Sequence, residues 1–395
     1  MDDAPDAARA DSEEAAAARP EFSDAELLAP YDRRPRTLGM VSCTLVEWVV
    51  LLVLIFAYDQ RFGGPGAPRG WAGLGQFVVL FLTMMGFLAA ALFPLHVLFR
   101  YVLERRAGNL SVAPVAWLLR VIGYTLASVV LSLFIYGFFY GLIWTIGAWW
   151  WLVPPGAALI WILFMALAVP DNLMKRAMKI ERRDLLERLA RLAAPFRLPI
   201  RGIYELRGDG YMDAMRLLLV ATGRDGRDVL LSGKALDDST PEEIDVLFSY
   251  ELVNAVHYYL ARRASIQTLL AVARYAAAAW LLGIAARHLY GPMAYADMPP
   301  ASVPLLTLLI ALCKVPTEFV SYLWQLRWQR KCDRFALARS GTRRTFLTVL
   351  RKSTAARQPE YSLWQRVFVD PSPAERLAAA EAGLTRSRPQ GAAPA

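Results

Sequence analysis

The stretch ASVPLLTLLIALCKVPTEFVSYL, Ala301–Leu323, holds 23 residues and two charges, Lys314 and Glu318. At about 1.5 Å of rise per residue it makes enough helix to cross a hydrocarbon layer about 30 Å thick. Arg327, Arg330 and Lys331 follow it, so one end is anchored by cations. Lys314 and Glu318 stand four apart with Pro316 between them. Charges inside a membrane are functional candidates by default. Here they form either an i,i+4 ion pair facing a bundle interior or part of a wet cavity lining.

Working outward, five further stretches reach spanning length: Leu38–Tyr58, Phe77–Leu98, Val115–Ile146, Leu152–Val169 and Ile266–Leu289. The third is long enough to tilt or to break near Gly141. Composition agrees, with 56% hydrophobic and 20% charged residues and a mean hydropathy of +0.32. A purely soluble or a disordered chain is thereby excluded. The expected fold is mainly α: a polytopic helical membrane protein with about six transmembrane helices and a small cytoplasmic α+β domain.

Cations mark the orientation. Arg33, Arg34 and Arg36 precede the first span, Arg100, Arg105 and Arg106 follow the second, and Lys175, Arg176, Lys179, Arg182 and Arg183 follow the fourth. The alternate loops hold only Arg61 and Arg69, then none around 147–151 and none in 291–300. The positive-inside rule then puts both termini and residues 171–265 in the cytoplasm. Net charge is +9, with −7 in the first thirty residues and +16 in the rest. That excess sits at span ends and reads as topology, so no nucleic-acid partner is expected. Trp149, Trp150 and Trp151 fit an interfacial aromatic anchor, and Arg120 fits a snorkelling cation. Cys43, Cys313 and Cys332 are odd in number and give neither a disulfide framework nor a metal-site spacing.

The expected organisation is a disordered acidic tail over 1–30, a four-span region over 31–170, a cytoplasmic region over 171–265, a two-span hairpin over 266–326, a helical part over 327–382 and a disordered tail over 383–395. The acidic tail has no charged-then-apolar leader. Within 171–265, Asp184–Leu192 reads as a helix and Ile203–Glu205 and Asp228–Leu231 as short strands. Turns are expected at 208–210 and 223–226, and their spacing matches no phosphate-binding loop. A helix opens at Pro241, with Thr240 as N-cap and Glu243 three residues on, a capping box.

That helix reads Pro241-Glu242-Glu243-Ile244-Asp245-Val246-Leu247-Phe248-Ser249-Tyr250-Glu251-Leu252-Val253-Asn254. It resembles the P-E-E-I-x-x-V-L-A-H-E-L-G-H helix of integral-membrane zinc metalloproteases of the CAAX prenyl protease type. In those enzymes both histidines bind zinc and the glutamate is the general base. Here Tyr250 and Asn254 replace the histidines and Glu251 alone is kept. Arg327 to Leu337 is similar to the family's R-F-E-Y-Q-A-D-A-F-A-L, with Gln329 at the third ligand and Asp333 kept. Asp370 to Leu377 resembles its H-P-x-x-x-E-R-L, with Asp370 at a histidine that helps stabilise the reacting carbonyl. More loosely, Trp149–Ile203 and Asp213-Ala214 resemble its membrane-exit and substrate-edge segments. The resemblance, which spans about 145–380, implies a metalloprotease-like cytoplasmic domain that has lost its zinc.

The residues argue the same way without the family. A catalytic zinc takes three imidazole or carboxylate ligands and an open position for water. The chain has three histidines, His96, His257 and His288, and their places relative to the spans and the Pro241 helix keep them from one site. Tyr250 and Asn254 share a helix face, but a neutral phenol and an amide are poor zinc ligands. With Gln329 they are expected to form a hydrogen-bonded plug, leaving Glu251 in a structural pairing. No cofactor is expected. The expected function is a non-catalytic binding or scaffolding protein that meets membrane lipid and holds apolar or lipidated peptides or a partner membrane protein. The competing reading is a membrane endopeptidase with a residual or relocated active site; a channel or transporter comes third, on Lys314, Glu318 and Arg120. Ala- and Arg-rich usage points to a GC-rich genome and a bacterial inner membrane.

Overall fold

The computed structural model describes Ser23 and residues 34–62, 68–106, 113–207, 216–222, 226–339, 342–356 and 373–387. Asp370, Asp213, Ala214, the 208–210 turn and nearly all of the acidic tail lie outside these residues. Among them, five helical segments are long and apolar enough to cross a membrane: Val41–Phe62, Gly70–Phe99, Pro114–Phe164, Tyr259–Tyr290 and Pro300–Leu337. The third covers 51 residues, which as one straight helix would be about twice too long for the hydrocarbon layer. It is two helices. Helix α3 (Pro114–Ile146) stops at Gly147, whose φ of 59° is open to glycine alone without strain, and a 3-10 turn over Gly147–Leu152 leads into α4 (Val153–Arg176). The break expected near Gly141 does not occur. Gly141 sits in unbroken helix, where a Cβ would make ordinary contact with the Trp71 ring at 3.4 Å.

The remaining apolar helices are α1 (Arg34–Phe62), α2 (Leu74–His96), α8 (Tyr259–Tyr290) and α9 (Val303–Leu337). Their turns fix how they run. A Cβ on Gly70 would meet Ala296 O at 2.9 Å, one on Gly73 would meet the Pro300 ring, and Gly147 faces Tyr295. Loops 68–73, 147–152 and 291–302 therefore share one end of the bundle. Trp144 Nε1 donates to Met298 O at 3.0 Å and Tyr140 pairs with Ser302 at 2.8 Å, locking that end together. At the opposite end α4 delivers Leu173 and Met174 onto Leu206 and Leu230 of a small sheet. Six apolar helices thus run alternately between two ends, which makes the chain a polytopic helical membrane protein. Pro316 lies inside α9 without ending it; Thr317 Oγ1 bonds to Cys313 O at 3.2 Å and to Lys314 O at 2.9 Å, using carbonyls near the interruption.

The sheet has strand order β1-β2-β4-β3, from β1 (Met178–Ile180), β2 (Ile200–Leu206), β3 (Leu217–Thr222) and β4 (Gly226–Ser232). Strands β2 and β4 are parallel and the outer pairs antiparallel. Around it lie α5 (Arg183–Ala193), α6 (Gly233–Asp238), α7 (Pro241–Val256), α10 (Arg343–Ala356) and α11 (Pro373–Ser387). The Ala-rich α11 carries helix past residue 383, where the disordered tail was expected to begin. Helix α9 runs through the expected boundary at 326/327, so one rod belongs to both bundle and domain. Two large cores result, one between the spans around Phe77, Phe81, Tyr140 and Ile143 and the other under α7 around Phe248, Leu252, Val229 and Phe346, with a smaller one beside α4 around Leu173, Leu206 and Leu230.

Candidate functional site: a bonded polar cluster where a metal would sit

Helix α7 is held from three sides. Thr240 Oγ1 accepts from Glu243 N at 3.3 Å and Glu243 Oε2 accepts from Thr240 N at 3.0 Å, the two arms of the capping box. Lys352 of α10 meets the same Glu243 at 2.8 Å in a pair whose side chains are 5% and 7% exposed. Arg188 of α5 reaches Asp245 at 2.7 Å and Glu242 at 3.2 Å. Burial raises the Asp245 carboxyl above its ordinary value, and Arg188 opposes the shift in part. With Phe248 and Leu252 sunk in the core, the face carrying Tyr250 and Asn254 is turned to the last turns of α9.

On α9, two adjacent i,i+4 rows meet that face. Trp328 and Cys332 meet Asn254: Trp328 Nε1 donates to its Oδ1 at 2.9 Å and Cys332 Sγ at 3.8 Å, while Asn254 Nδ2 donates to Glu251 Oε1 at 3.2 Å. Asp333 meets Tyr250, whose hydroxyl donates to Oδ1 at 2.5 Å. Gln329 joins them through a residue of α11. Arg376 gives a forked contact to Asp333, Nε to Oδ2 at 2.9 Å and Nη2 to Oδ1 at 2.5 Å, and its Nη2 also donates to the Tyr250 oxygen at 3.2 Å. With its amide oxygen turned to the guanidinium, Gln329 accepts from Nε at 3.2 Å and Nη1 at 3.1 Å. Asp333 is 2% exposed. Burial pushes the Tyr250 phenol well above its ordinary value, with Asp333 adding to the shift and Arg376 opposing it. The phenol is therefore a neutral donor.

Tyr250, Asn254, Gln329, Asp333 and Glu251 are thus drawn together at one junction of α7 and α9. The expected mutual plug differs in its wiring: Tyr250 and Gln329 bond to Asp333 and Arg376 instead of directly to Asn254. Arg376 was not singled out from the sequence, although it lies within the Asp370–Leu377 segment; Trp328 and Cys332 carried no signal of their own. Asp370 lies outside the described residues. Lys314 and Glu318 form the i,i+4 pair at 3.3 Å, with side chains 53% and 24% exposed. Of the histidines, His257 ends α7 with its ring edge toward Trp328 at 6.1 Å, His96 ends α2, and His288 lies near the far end of α8.

A zinc ion does not fit this donor set. The three ligand positions hold two amides and a high-pKa phenol and no imidazole, and the carboxylates beside them are engaged, Asp333 by Tyr250 and Arg376 and Glu251 by Asn254. The Arg376 guanidinium, shared by Tyr250, Asp333 and Gln329, would face the dication. The cluster can bind, position and exclude water. It has no group that would activate water as a metal does.

No family model matches the chain, and no curated protein does. Among solved structures, the crystal structure of S. mikatae Ste24p is similar over 87% of this chain and 99% of that chain, with 12% sequence identity and a TM-score of 0.48.

Proposed function

We propose that this chain is a catalytically degenerate, metalloprotease-like membrane protein. In this reading it binds apolar or lipidated peptides, or a partner membrane protein, without cleaving them, and its sheet domain faces the cytoplasm. One observation carries the reading. The residues standing at the three ligand positions of the CAAX protease motifs, Tyr250, Asn254 and Gln329, spend their polar atoms on Asp333, Arg376, Trp328 and Glu251. A buried, mutually satisfied network of this kind stabilises one arrangement and resists opening. Glu251, already accepting from Asn254, has no metal-bound water to deprotonate, and general-base assistance alone is worth only about 10² to 10⁴ in rate.

The test uses the full chain purified without chelators and a farnesylated peptide carrying a C-terminal fluorophore. Elemental analysis should find zinc far below one per chain. The peptide should bind saturably and remain intact over hours. Cleavage lost on Glu251→Gln would overturn the reading in favour of a membrane endopeptidase, and so would stoichiometric zinc. Absence of binding to apolar and lipidated peptides alike would remove the peptide-holding role.

A further inference from the structure

Where α7 passes into α8, the chain turns through Tyr258, held at a φ of 52°. The residues that follow stand beside the last turns of α9, at the level where the apolar part of both helices gives way to the sheet domain. Here three rings form a continuous plate, with His257 standing perpendicular to it. Tyr259 stacks on Trp324 with centroids 5.5 Å apart and an interplanar angle of 7°, Trp324 stacks on Trp328 at 5.9 Å, Tyr259 meets Trp328 at 5.0 Å, and the His257 edge meets Trp328 at 6.1 Å. Cations from both helices edge the plate. Arg263 lies 6.0 Å from the Tyr259 centroid and Lys331 lies 5.4 Å from that of Trp328. Arg262, Arg327, Arg330 and Arg334 are exposed on the same stretches of the two helices.

Among the described residues none of these six cations forms an ion pair with a carboxylate. The acids on the facing helices are engaged: Asp333 with Tyr250 and Arg376, Glu251 with Asn254. Burial first, and then the neighbouring charges of Lys331 and Arg262, hold the His257 imidazole below its ordinary pKa. Beside the cations, Tyr258 and Leu260 are 71% and 66% exposed, which adds an apolar shoulder at the same level.

The geometry points to a binding site for the headgroup of an anionic glycerophospholipid, formed by Arg262, Arg263 and Lys331 over the Tyr259–Trp324–Trp328 plate. The phosphate would meet the cations and the acyl chains would lie along the apolar surface next to Leu260. The occupant follows from the chemistry of these side chains. Stacked rings with amphipathic edges belong at the headgroup level of a bilayer, each cation near an anionic leaflet contributes about 1 kcal/mol, and a hydrated soluble anion would gain nothing from Tyr258 and Leu260. Because Trp328 also donates to Asn254, a lipid bound here would touch the cluster described above through a single side chain. The site itself stands whether or not that cluster binds peptide.

The experiment uses the full chain in detergent, titrated with a short-chain phosphatidylglycerol or the matching phosphatidylcholine and read by native mass spectrometry. The wild type should retain phosphatidylglycerol in preference to phosphatidylcholine, with retention falling as salt rises and unaffected by millimolar inorganic phosphate. Arg262→Gln and Lys331→Gln should each weaken retention about fivefold. Arg120→Gln, an exposed cation on another span at the same end of the bundle, should leave it unchanged. Arg262 is exposed, so its variant keeps the fold even if that of Lys331 does not. Equal retention of the two lipids would overturn the site. So would phosphatidylglycerol binding that survives Arg262→Gln, a loss of equal size in Arg120→Gln, or displacement by free phosphate.

Discussion

Arg376 is the residue on which the polar cluster depends. It is 16% exposed at its side chain and forks onto Asp333, which is 2% exposed. Removing one partner of such a pair leaves a buried charge uncompensated, which costs about 3–5 kcal/mol, whereas replacing both partners with apolar groups of similar size can be close to neutral. Arg376→Met should therefore lower the thermal midpoint sharply, and Asp333→Leu in the same chain should recover most of the loss. If the double variant is no more stable than the single, Asp333 and Arg376 do not act as a pair and the cluster is held by other contacts. The sequence made Tyr250 and Asn254 legible as a pair because helical spacing puts i and i+4 on one face. It could not show Arg376, since 43 residues and the docking of α11 separate that guanidinium from Asp333.

At the scale of elements, the same helix that crosses the apolar layer carries the site. Helix α9 continues from Val303 to Leu337 without a break, so the register of its span fixes which rows meet α7. The strong signals in the sequence were local. The capping box at Thr240 and the helix after Arg182 were read from a few neighbouring residues, and both are present. Strands β1 and β3 were not foreseen, for different reasons. β1 has only three residues, too few to show alternation. In β3, Leu217 packs into the core under α7 and Leu218 into the one beside α4, so both faces are covered and the period-two pattern vanishes. If the junction of α7 and α9 has kept the spacing of a metal site, Tyr250→His, Asn254→His and Gln329→Glu together should supply a ligand set. The Arg376 guanidinium should still repel the ion. Zinc uptake is expected only when Arg376→Met is added, read as roughly one zinc per chain by elemental analysis together with a zinc-dependent rise in melting temperature. Uptake by the triple variant with Arg376 intact would show that the guanidinium is no barrier. No uptake by either would mean that the backbone spacing does not suit a metal.

For the whole molecule, the bundle has two chemically distinct ends. At one, loops 68–73, 147–152 and 291–302 meet through Gly70, Gly73 and Gly147 and bring few cations. At the other lie Arg105, Lys175, Arg176, Lys179, Arg262, Arg263, Arg327, Arg330 and Lys331, next to the sheet domain. Short loops flanking spans are held inside by their lysines and arginines, which is why we propose the sheet end as the cytoplasmic one. The native cysteines are poor targets for a bulky reagent, with Cys313 and Cys332 buried and Cys43 half-buried. Single cysteines at exposed positions then report orientation. Arg69→Cys and Asp297→Cys, on the first end, should react with a membrane-impermeant maleimide in intact bacterial cells. Glu181→Cys and Asp237→Cys, on the sheet domain, should react only after the membrane is opened. Because the packing of the three turns ties Arg69 and Asp297 to one end, their labelling must agree. A split between them would contradict the helix arrangement, whereas a joint reversal, with Glu181 and Asp237 labelled from outside, would leave the arrangement intact and overturn the orientation alone.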